Sequence, residues 1–378
     1  MGADGNFETI RIANAPTAGV DLRRVDSHPD HWYPVAWGSE LKANKPLGVK
    51  YAGEPVVLFR NGSGRLFALE DRCAHRQVPL AMGVVDGDTL KCGYHGWAYD
   101  GASGKCVDVP YLGGKSLPNG VRTYPVAEVD GMVFIYPGDP RFAEERKPTA
   151  LAGKTDPKYK TRRLDRTLKC HYTFAHENLF DMNHQFLHRK QMGLIKAKLT
   201  GRRQGDDWCE VDYTFVRAAG KGTIGEKAIV GLIGKDFSEG GELMAGGDGM
   251  TIRTEYPHQR LRVFVGGEAA LDVWLGYTPL DAAQRTNRTF GYLSVRRPGA
   301  PLILDLLWPF VTWFTENIFQ EDQEIMELEQ AAHDAQGCDW NNEVFPAIRD
   351  LRALLARNGV PSRLAPQTLD AVEAIAAE

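Results

Sequence analysis

The first half of the chain alternates short apolar runs with turn residues. Between His31 and about Gly138, the runs VVLFR (56–60) and LFALE (66–70) flank Asn61-Gly62-Ser63-Gly64, which is the pattern of a β-hairpin. Further strand candidates are TLKCGY (89–94), WAYD (97–100) and VFIYP (133–137). This half is therefore predicted to consist of antiparallel strands.

The second half separates its helical and strand patterns along the chain. Helical patterns occupy residues 170–190, 301–335 and 343–357. Strand patterns occupy residues 207–217 and 251–295, and the glycine-rich residues 218–249 between them are predicted to be loops. Because strands and helices are segregated rather than alternating, the predicted fold class is α+β.

A segment rich in proline and charge, residues 137–150, has the composition of a linker. The chain has 378 residues, which suits two to three domains. The predicted organisation is an N-terminal arm (1–30), a β domain (31–138) and a larger C-terminal domain (139–378).

Composition and charge exclude several classes of partner. With 45 basic and 49 acidic residues the net charge is −4, so neither nucleic acid nor an anionic membrane is expected as the main partner. The apolar stretch 300–319 contains Asp305 and Glu316, and is predicted to be a buried helix rather than a membrane span. The N-terminus lacks the apolar core of a signal peptide, so a cytoplasmic location is expected.

Four metal-binding side chains stand in two short arms. Cys73-x-His75 is followed by Cys92-x-x-His95, so each arm offers one thiolate and one imidazole. Such a set can bind one tetrahedral zinc, or a [2Fe–2S] cluster in which the cysteines hold one iron and the histidines hold the other. The mixed arms favour the cluster, because a structural zinc site usually uses pairs of cysteines.

A second group lies within HENLFDMNHQFLHRK (176–190). On a continuous helix, His184 and His188 would share one face with Asp181 and Asn178, and would form a two-nitrogen clip for iron, zinc, copper or nickel. A third, acidic ligand has to come from farther along the chain, where many candidates remain.

Both groups resemble those of one family. CAHRQVPLAMG…CGYHGWAYDGASGKC resembles the Rieske domain of the Rieske non-haem iron ring-hydroxylating oxygenases, and N-x-x-D-x-x-H-x-x-x-H resembles their catalytic iron motif. Three residues separate the two histidines, where most members have four. This spacing points to the branch of carbazole-dioxygenase-like enzymes, monooxygenases and demethylases.

The resemblance implies a ligand set. Cys73 and Cys92 would hold one cluster iron, and His75 and His95 the other. His184, His188 and a carboxylate would hold a mononuclear Fe(II), with open positions for dioxygen. ENIFQEDQEIMELEQ (316–330) resembles the helix that supplies this carboxylate. On that basis the expected ligand is Asp322, with Glu321 as the nearest rival and Glu324 and Asp305 as weaker ones.

The resemblance also implies a fold and a function. The C-terminal domain would be a helix-grip, in which an antiparallel sheet holds a long helix. The protein would be a terminal oxygenase that takes electrons from a ferredoxin or flavin reductase. It would use O2 to hydroxylate, dihydroxylate or oxidatively demethylate an aromatic or alicyclic small molecule.

Asp181 would act between subunits. In the family such an aspartate links a cluster histidine of one subunit, here His95, to an iron-binding histidine of the next, here His184. This arrangement implies a homotrimer, and Asn178 would support the iron site from one turn away. The alternatives from other classes are a Rieske electron carrier without a catalytic iron and a zinc-binding structural protein.

Overall fold

The structure is a computed structural model that describes residues 20–112, 117–219, 223 and 248–363. Most of the predicted arm (1–19) and most of the predicted glycine-rich loop region (218–249) lie outside the described residues.

In its described residues, the N-terminal half contains three small antiparallel sheets, as the alternation of its strands predicts. They are β10–β11–β2, β3–β4–β5 and β6–β7–β8–β9. Their strands are β2 (Tyr33–Trp37), β3 (Leu47–Tyr51), β4 (Glu54–Arg60), β5 (Leu66–Glu70), β6 (Val84–Asp86), β7 (Thr89–Lys91), β8 (Ala98–Asp100), β9 (Cys106–Asp108), β10 (Val126–Val129) and β11 (Met132–Ile135).

The predicted hairpin is confirmed. Phe59 of β4 pairs with Phe67 of β5, and their rings stack at 4.9 Å. The carboxamide oxygen of Asn61 accepts hydrogen bonds from the backbone N–H groups of Ser63 and Arg65, and Gly64 takes a positive φ of 90°. The turn residues therefore close the loop in the way their side chains favour.

The C-terminal half is built on a seven-stranded antiparallel sheet with the order β12–β18–β17–β16–β15–β14–β13. The strands are β12 (Tyr159–Leu168), β13 (Leu194–Gln204), β14 (Trp208–Ala219), β15 (Gly249–Glu255), β16 (His258–Val265), β17 (Glu268–Pro279) and β18 (Asn287–Arg296). Alternation buries one face: along β16, Gln259, Leu261 and Val263 are buried in turn.

Helices cover this buried face. The α-helices are α1 (Ala152–Thr155), α2 (Tyr172–Phe180), α3 (Arg189–Met192), α4 (Pro301–Gln336) and α5 (Pro346–Asn358). The 3₁₀ turns are Leu22–Arg24, Leu80–Met82, Pro140–Phe142, Glu144–Arg146 and Met182–Phe186. The long helix α4 begins with Pro301 and ends at Gly337 in the left-handed conformation. A sheet that holds one long helix confirms the predicted α+β, helix-grip class.

The prediction of one helix across residues 170–190 is wrong. Helix α2 ends at Phe180, and Asp181 takes an extended conformation between α2 and the 3₁₀ turn Met182–Phe186. The Asp181 carboxylate accepts from the backbone N–H of Asn183, which starts the new turn. His184 lies on this 3₁₀ turn and His188 precedes α3, so the two histidines do not share a helix face.

The prediction that the stretch 300–319 is buried holds for only one face of α4. Leu304, Val311 and Phe314 are at most 4% exposed, whereas Leu302, Leu306 and Trp313 are 79%, 80% and 60% exposed. Among the described residues, no helix combines the length and the apolarity needed to cross a membrane.

The described part of the predicted arm is ordered against the C-terminal domain. β1 (Val25–Asp26) pairs with β19 (Val360–Pro361), and Arg23 makes an ion pair with Glu177 of α2 at 2.5 Å. The domain boundaries proposed from the linker composition stay predictions.

Candidate metal centres

The two Cys/His arms are tight loops of the same size. The backbone N–H of Cys73 donates to the carbonyl of Val78, and that of Cys92 donates to the carbonyl of Trp97. Each loop turns through a residue with positive φ, Gln77 in the first and Gly96 in the second. The β sheets place the two loops next to each other.

The four candidate ligands differ in burial: the two cysteines are buried, and the two histidines lie nearer the surface. Cys73 and Cys92 are 1% and 4% exposed, whereas His75 is exposed and its ring centroid lies 4.6 Å from that of His95. Burial raises the pKa of the Cys92 thiol, although backbone N–H groups of Tyr94 and His95 donate to it and oppose the rise. The Trp97 ring stacks flat on His75 at 4.7 Å.

Buried cysteines with histidines nearer the surface fit a two-iron cluster better than one zinc ion. A single zinc requires its four ligand atoms around one point. Within the described residues the only group of three or more such atoms within 4.8 Å of one another is elsewhere, at His184, His188 and Asp322. Two thiols inside and two imidazoles outside match the two ends of a Rieske cluster.

The second centre is formed by three elements. His184 comes from the 3₁₀ turn, His188 from the residue before α3, and Asp322 from the middle of α4. Asp322 Oδ1 lies 3.1 Å from His188 Nε2 and 3.7 Å from His184 Nε2. Two imidazole nitrogens and one carboxylate oxygen thus converge, although the break at Asp181 removes the helix that the spacing predicted.

The pKa values of the two histidine rings shift in opposite directions. Burial lowers the pKa of His184, and the nearby Asp322 charge only partly opposes this. Burial also works against a charged His188, but Asp322 and Glu321 outweigh it and raise the pKa of this ring. The buried atoms His184 Nδ1 and Asp322 Oδ1 have no hydrogen-bond partner in the described residues. Of these, Asp322 Oδ1 faces the Nε2 atoms of both histidines, and an orphaned carboxylate oxygen between two imidazole nitrogens fits a bound metal ion.

The rival acids are placed differently. Glu321 lies on the far side of the His188 ring, with Oε2 2.8 Å from Nδ1. Glu324 is exposed and accepts from Gln320, and Asp305 forms ion pairs with Lys160 and Arg297. Of the four acids considered from the sequence, the structure brings only Asp322 to the Nε2 atoms of both histidines.

Asp181 and Asn178 line a cleft of about 800 Å³ beside His184. We call it the acidic cleft, because five carboxylates border it, those of Glu177, Asp181, Glu329, Asp339 and Glu343. The enclosure by the cleft walls and the charge of Glu177 raise the pKa of Glu329, although its side chain is exposed to solvent. This cleft is not evident from the sequence, because its acids are scattered over more than 160 residues.

Comparison with known families matches a domain to each half of the chain. Residues 31–125 match the Rieske [2Fe-2S] domain, and residues 168–344 match the vanillate O-demethylase oxygenase C-terminal domain. The 4beta-methylsterol monooxygenase of Methylococcus capsulatus is 31% identical over 350 residues, which cover 88% of this chain and 89% of that protein. The chain belongs to the Rieske non-haem iron oxygenases.

Other Rieske oxygenases match over shorter stretches. The dicamba O-demethylase oxygenase component of Stenotrophomonas maltophilia is 37% identical over 160 residues, 42% of this chain and 47% of that protein. Carbazole 1,9a-dioxygenase component CarAa of Metapseudomonas resinovorans is 31% identical over 221 residues, 54% of each chain. The crystal structure of dicamba monooxygenase bound to dicamba shares the fold, with a TM-score of 0.69 and 23% identity over 90% of this chain and 98% of that one.

The protein is accordingly an oxygenase component with a Rieske [2Fe-2S] cluster and a mononuclear iron. The match of residues 168–344 to an oxygenase domain argues against the electron-carrier alternative. As a Rieske oxygenase it uses O2 and electrons from a reductase or ferredoxin to oxidise a small molecule.

Proposed function

We propose that Cys73, His75, Cys92 and His95 hold the cluster, and that His184, His188 and Asp322 hold the mononuclear iron. The convergence of the last three residues carries the proposal. When bound, the cluster supplies single electrons, and the mononuclear iron supplies the centre at which dioxygen is activated. A facial set of two imidazoles and one carboxylate leaves positions open for dioxygen.

The protein side chains have separate tasks in this scheme. The His188 side chain is almost completely buried and holds the iron site on its interior side. The His184 side chain is 18% exposed and borders the acidic cleft. Trp97 covers one face of His75 and limits the access of water on that side. Asn178 lines the acidic cleft and also a small apolar cavity next to Asp322, so it supports the site from α2.

Asp181 is the proposed electron bridge. Its carboxylate lies in the acidic cleft three residues before His184, whose Nδ1 lacks a partner in the described residues. We propose that one oxygen of Asp181 accepts from His184 Nδ1 and the other from His95 of a second copy of the chain. A carboxylate shared by two imidazoles orients both rings.

The two surfaces that would meet have complementary character. Around the cluster histidines, Arg72 and Arg76 are exposed, and Met82 and Tyr94 are 74% and 58% exposed. The acidic cleft offers the carboxylates of Asp181, Glu329 and Glu343 and apolar side chains such as Phe186 and Trp340, whereas Glu177 and Asp339 are paired with arginines of the same chain. Head-to-tail contacts of this kind close into a ring when the rotation allows it, and we propose a homotrimer.

We further propose that the reaction is a monooxygenation of a ring compound that carries a methyl or methoxy group. The balance is R–H + O2 + 2e⁻ + 2H⁺ → R–OH + H2O. The relative that covers 88% of the chain is a 4beta-methylsterol monooxygenase, so methylated alicyclic compounds are the first candidates. Aromatic methyl ethers are the second, because the C-terminal match is to a vanillate O-demethylase domain.

A screen of oxygen uptake tests this proposal. Iron-loaded protein with a surrogate reductase and ferredoxin is given 4-methylsterols, methoxybenzoates, carbazole or N-methylxanthines under ¹⁸O2. We expect one compound class to stimulate uptake, with one labelled oxygen in each product molecule before any loss of formaldehyde. Two labelled oxygens would contradict monooxygenation. No product from any class, with a cluster that the reductase still reduces, would contradict the proposed substrates.

We also propose a cytoplasmic location. All six cysteines lie in the described residues and none is in a disulfide, which suits a reducing compartment that contains reductases.

A further inference from the structure

The imidazole of His188 is held from both sides by consecutive residues of α4. Glu321 Oε2 lies 2.8 Å from Nδ1, and Asp322 Oδ1 lies 3.1 Å from Nε2. The His188 side chain is 3% exposed, and those of Glu321 and Asp322 are 26% and 13% exposed. Both ring nitrogens of His188 therefore face carboxylate oxygens of α4.

His184 differs from His188 in this respect. Its Nε2 faces Asp322 at 3.7 Å, but its Nδ1 has no hydrogen-bond partner in the described residues. His188 is thus held between carboxylates at both ring nitrogens, whereas His184 faces a carboxylate only at Nε2 in the described residues.

The position of Glu321 excludes it from the metal and gives it a different task. Nδ1 and Nε2 are on different edges of the imidazole, so a carboxylate that receives the Nδ1 proton cannot reach a metal bound at Nε2. Within the described residues Glu321 has no other hydrogen bond or ion pair. In the described residues, His188 is therefore the only polar partner of the Glu321 carboxylate.

We infer that Glu321 is the positioning residue of the mononuclear iron site. It accepts the Nδ1 proton of His188, which fixes the tautomer with a free Nε2 lone pair, holds the ring plane and increases the basicity of Nε2. This inference rests on the proposed ligand set of His184, His188 and Asp322. Carboxylates that accept from a ligand histidine strengthen metal binding by about 10- to 100-fold in other sites.

The sequence alone could not assign this role. Glu321 and Asp322 are neighbours, and either acid could supply the metal ligand from their spacing alone. The 100° turn between consecutive helix residues separates their side chains. His188 fits between them, so that one acid faces Nε2 and the other faces Nδ1.

The test measures the affinity for Fe(II) rather than turnover. The dissociation constant of the mononuclear iron is determined anaerobically on the cluster-loaded protein by competition with a chromophoric chelator. We expect Glu321→Ala to weaken binding about 10- to 100-fold and Glu321→Gln to weaken it less, because the amide oxygen still accepts from Nδ1. Glu324→Gln is the matched control on the same helix, and should stay within about twofold of wild type.

Two further readouts separate positioning from folding and from the ligand assignment. The visible spectrum of the cluster and the melting temperature should be unchanged in Glu321→Gln. In Glu321→Ala the EPR spectrum of the ferrous nitric oxide adduct should change in rhombicity, because nothing then accepts from Nδ1 and the His188 ring is no longer fixed. If Glu321→Ala and Glu321→Gln both bind iron within twofold of wild type, the inference is wrong.

The proposed ligand set is tested separately with His188→Ala and Asp322→Ala. If these two variants also bind iron as wild type does, the ligand set itself is wrong. If they lose the iron while the Glu321 variants keep it, only the role of Glu321 is overturned.

Discussion

The phenolic oxygen of Tyr99 lies 3.1 Å from Sγ of Cys73 and accepts a hydrogen bond from the backbone N–H of Ala74 at 3.0 Å. Since the Ala74 N–H uses the oxygen as an acceptor, the tyrosine proton is directed to the sulfur. Tyr99 is completely buried at the base of the cluster loops. Hydrogen bonds to the ligand sulfurs favour the reduced, more negative state of an iron–sulfur cluster.

We predict that Tyr99→Phe lowers the reduction potential of the cluster. The substitution removes one donor to Cys73 and keeps the ring that packs in the core. Spectroelectrochemical titration of the visible bands measures the potential. Tyr136→Phe is the control, because the Tyr136 hydroxyl is buried without a hydrogen-bond partner in the described residues. An unchanged potential in Tyr99→Phe would show that the hydroxyl does not donate to the sulfur.

Asp181→Ala should separate metal binding from turnover. The carboxylate lies beside the iron site and does not belong to it, so both metals should stay bound. Coupled product formation should nearly vanish, because the proposed bridge between the imidazoles of two chains is then lost. Iron analysis and reductase-driven turnover are measured on the same preparation. Normal coupled activity in Asp181→Ala would refute the bridge.

The stability of the protein should fall below about pH 6. Burial lowers the pKa of His176 to about 3 and that of His258 to about 4, from an ordinary value of 6.5. A lowered folded-state pKa contributes stability that is present above pH 6.5 and is lost as the pH falls toward the folded-state value. Each ring costs up to about 1.4 kcal/mol per pH unit in that window.

Denaturant unfolding at pH 7.5, 6.0 and 5.0 measures this loss. His176→Phe should have a flatter pH dependence than wild type, because it removes a buried titratable ring that packs with its centroid 4.7 Å from that of Tyr277 and whose nitrogens have no partner in the described part of the chain. Equal pH slopes in the two proteins would mean that His176 does not stay neutral in the folded state.

The sequence predicted the elements that depend on local pattern. The hairpin around Asn61-Gly62 and the long helix that ends near Gln336 follow from turn residues and from helical periodicity, both of which lie within a short window. The candidate metal ligands could also be predicted from the sequence, because their spacing matches a family motif.

The features that the sequence did not predict depend on contacts between distant segments. The break at Asp181 occurs because its side chain caps a new 3₁₀ turn, and the helical pattern continues through it without a proline or glycine. The contact of Glu321 with His188 joins residues 133 positions apart. The exposed face of α4 was assigned to the core because apolar composition does not show which face is covered.

The iron content of wild type and of Asp322→Ala tests the two-centre account most directly. Anaerobically prepared, fully loaded wild type should contain about three irons per chain, two in the cluster and one in the mononuclear site. Asp322→Ala should contain about two irons, with the visible spectrum of the cluster unchanged. A wild-type content of about two irons, or the loss of the cluster spectrum in Asp322→Ala, would contradict the account.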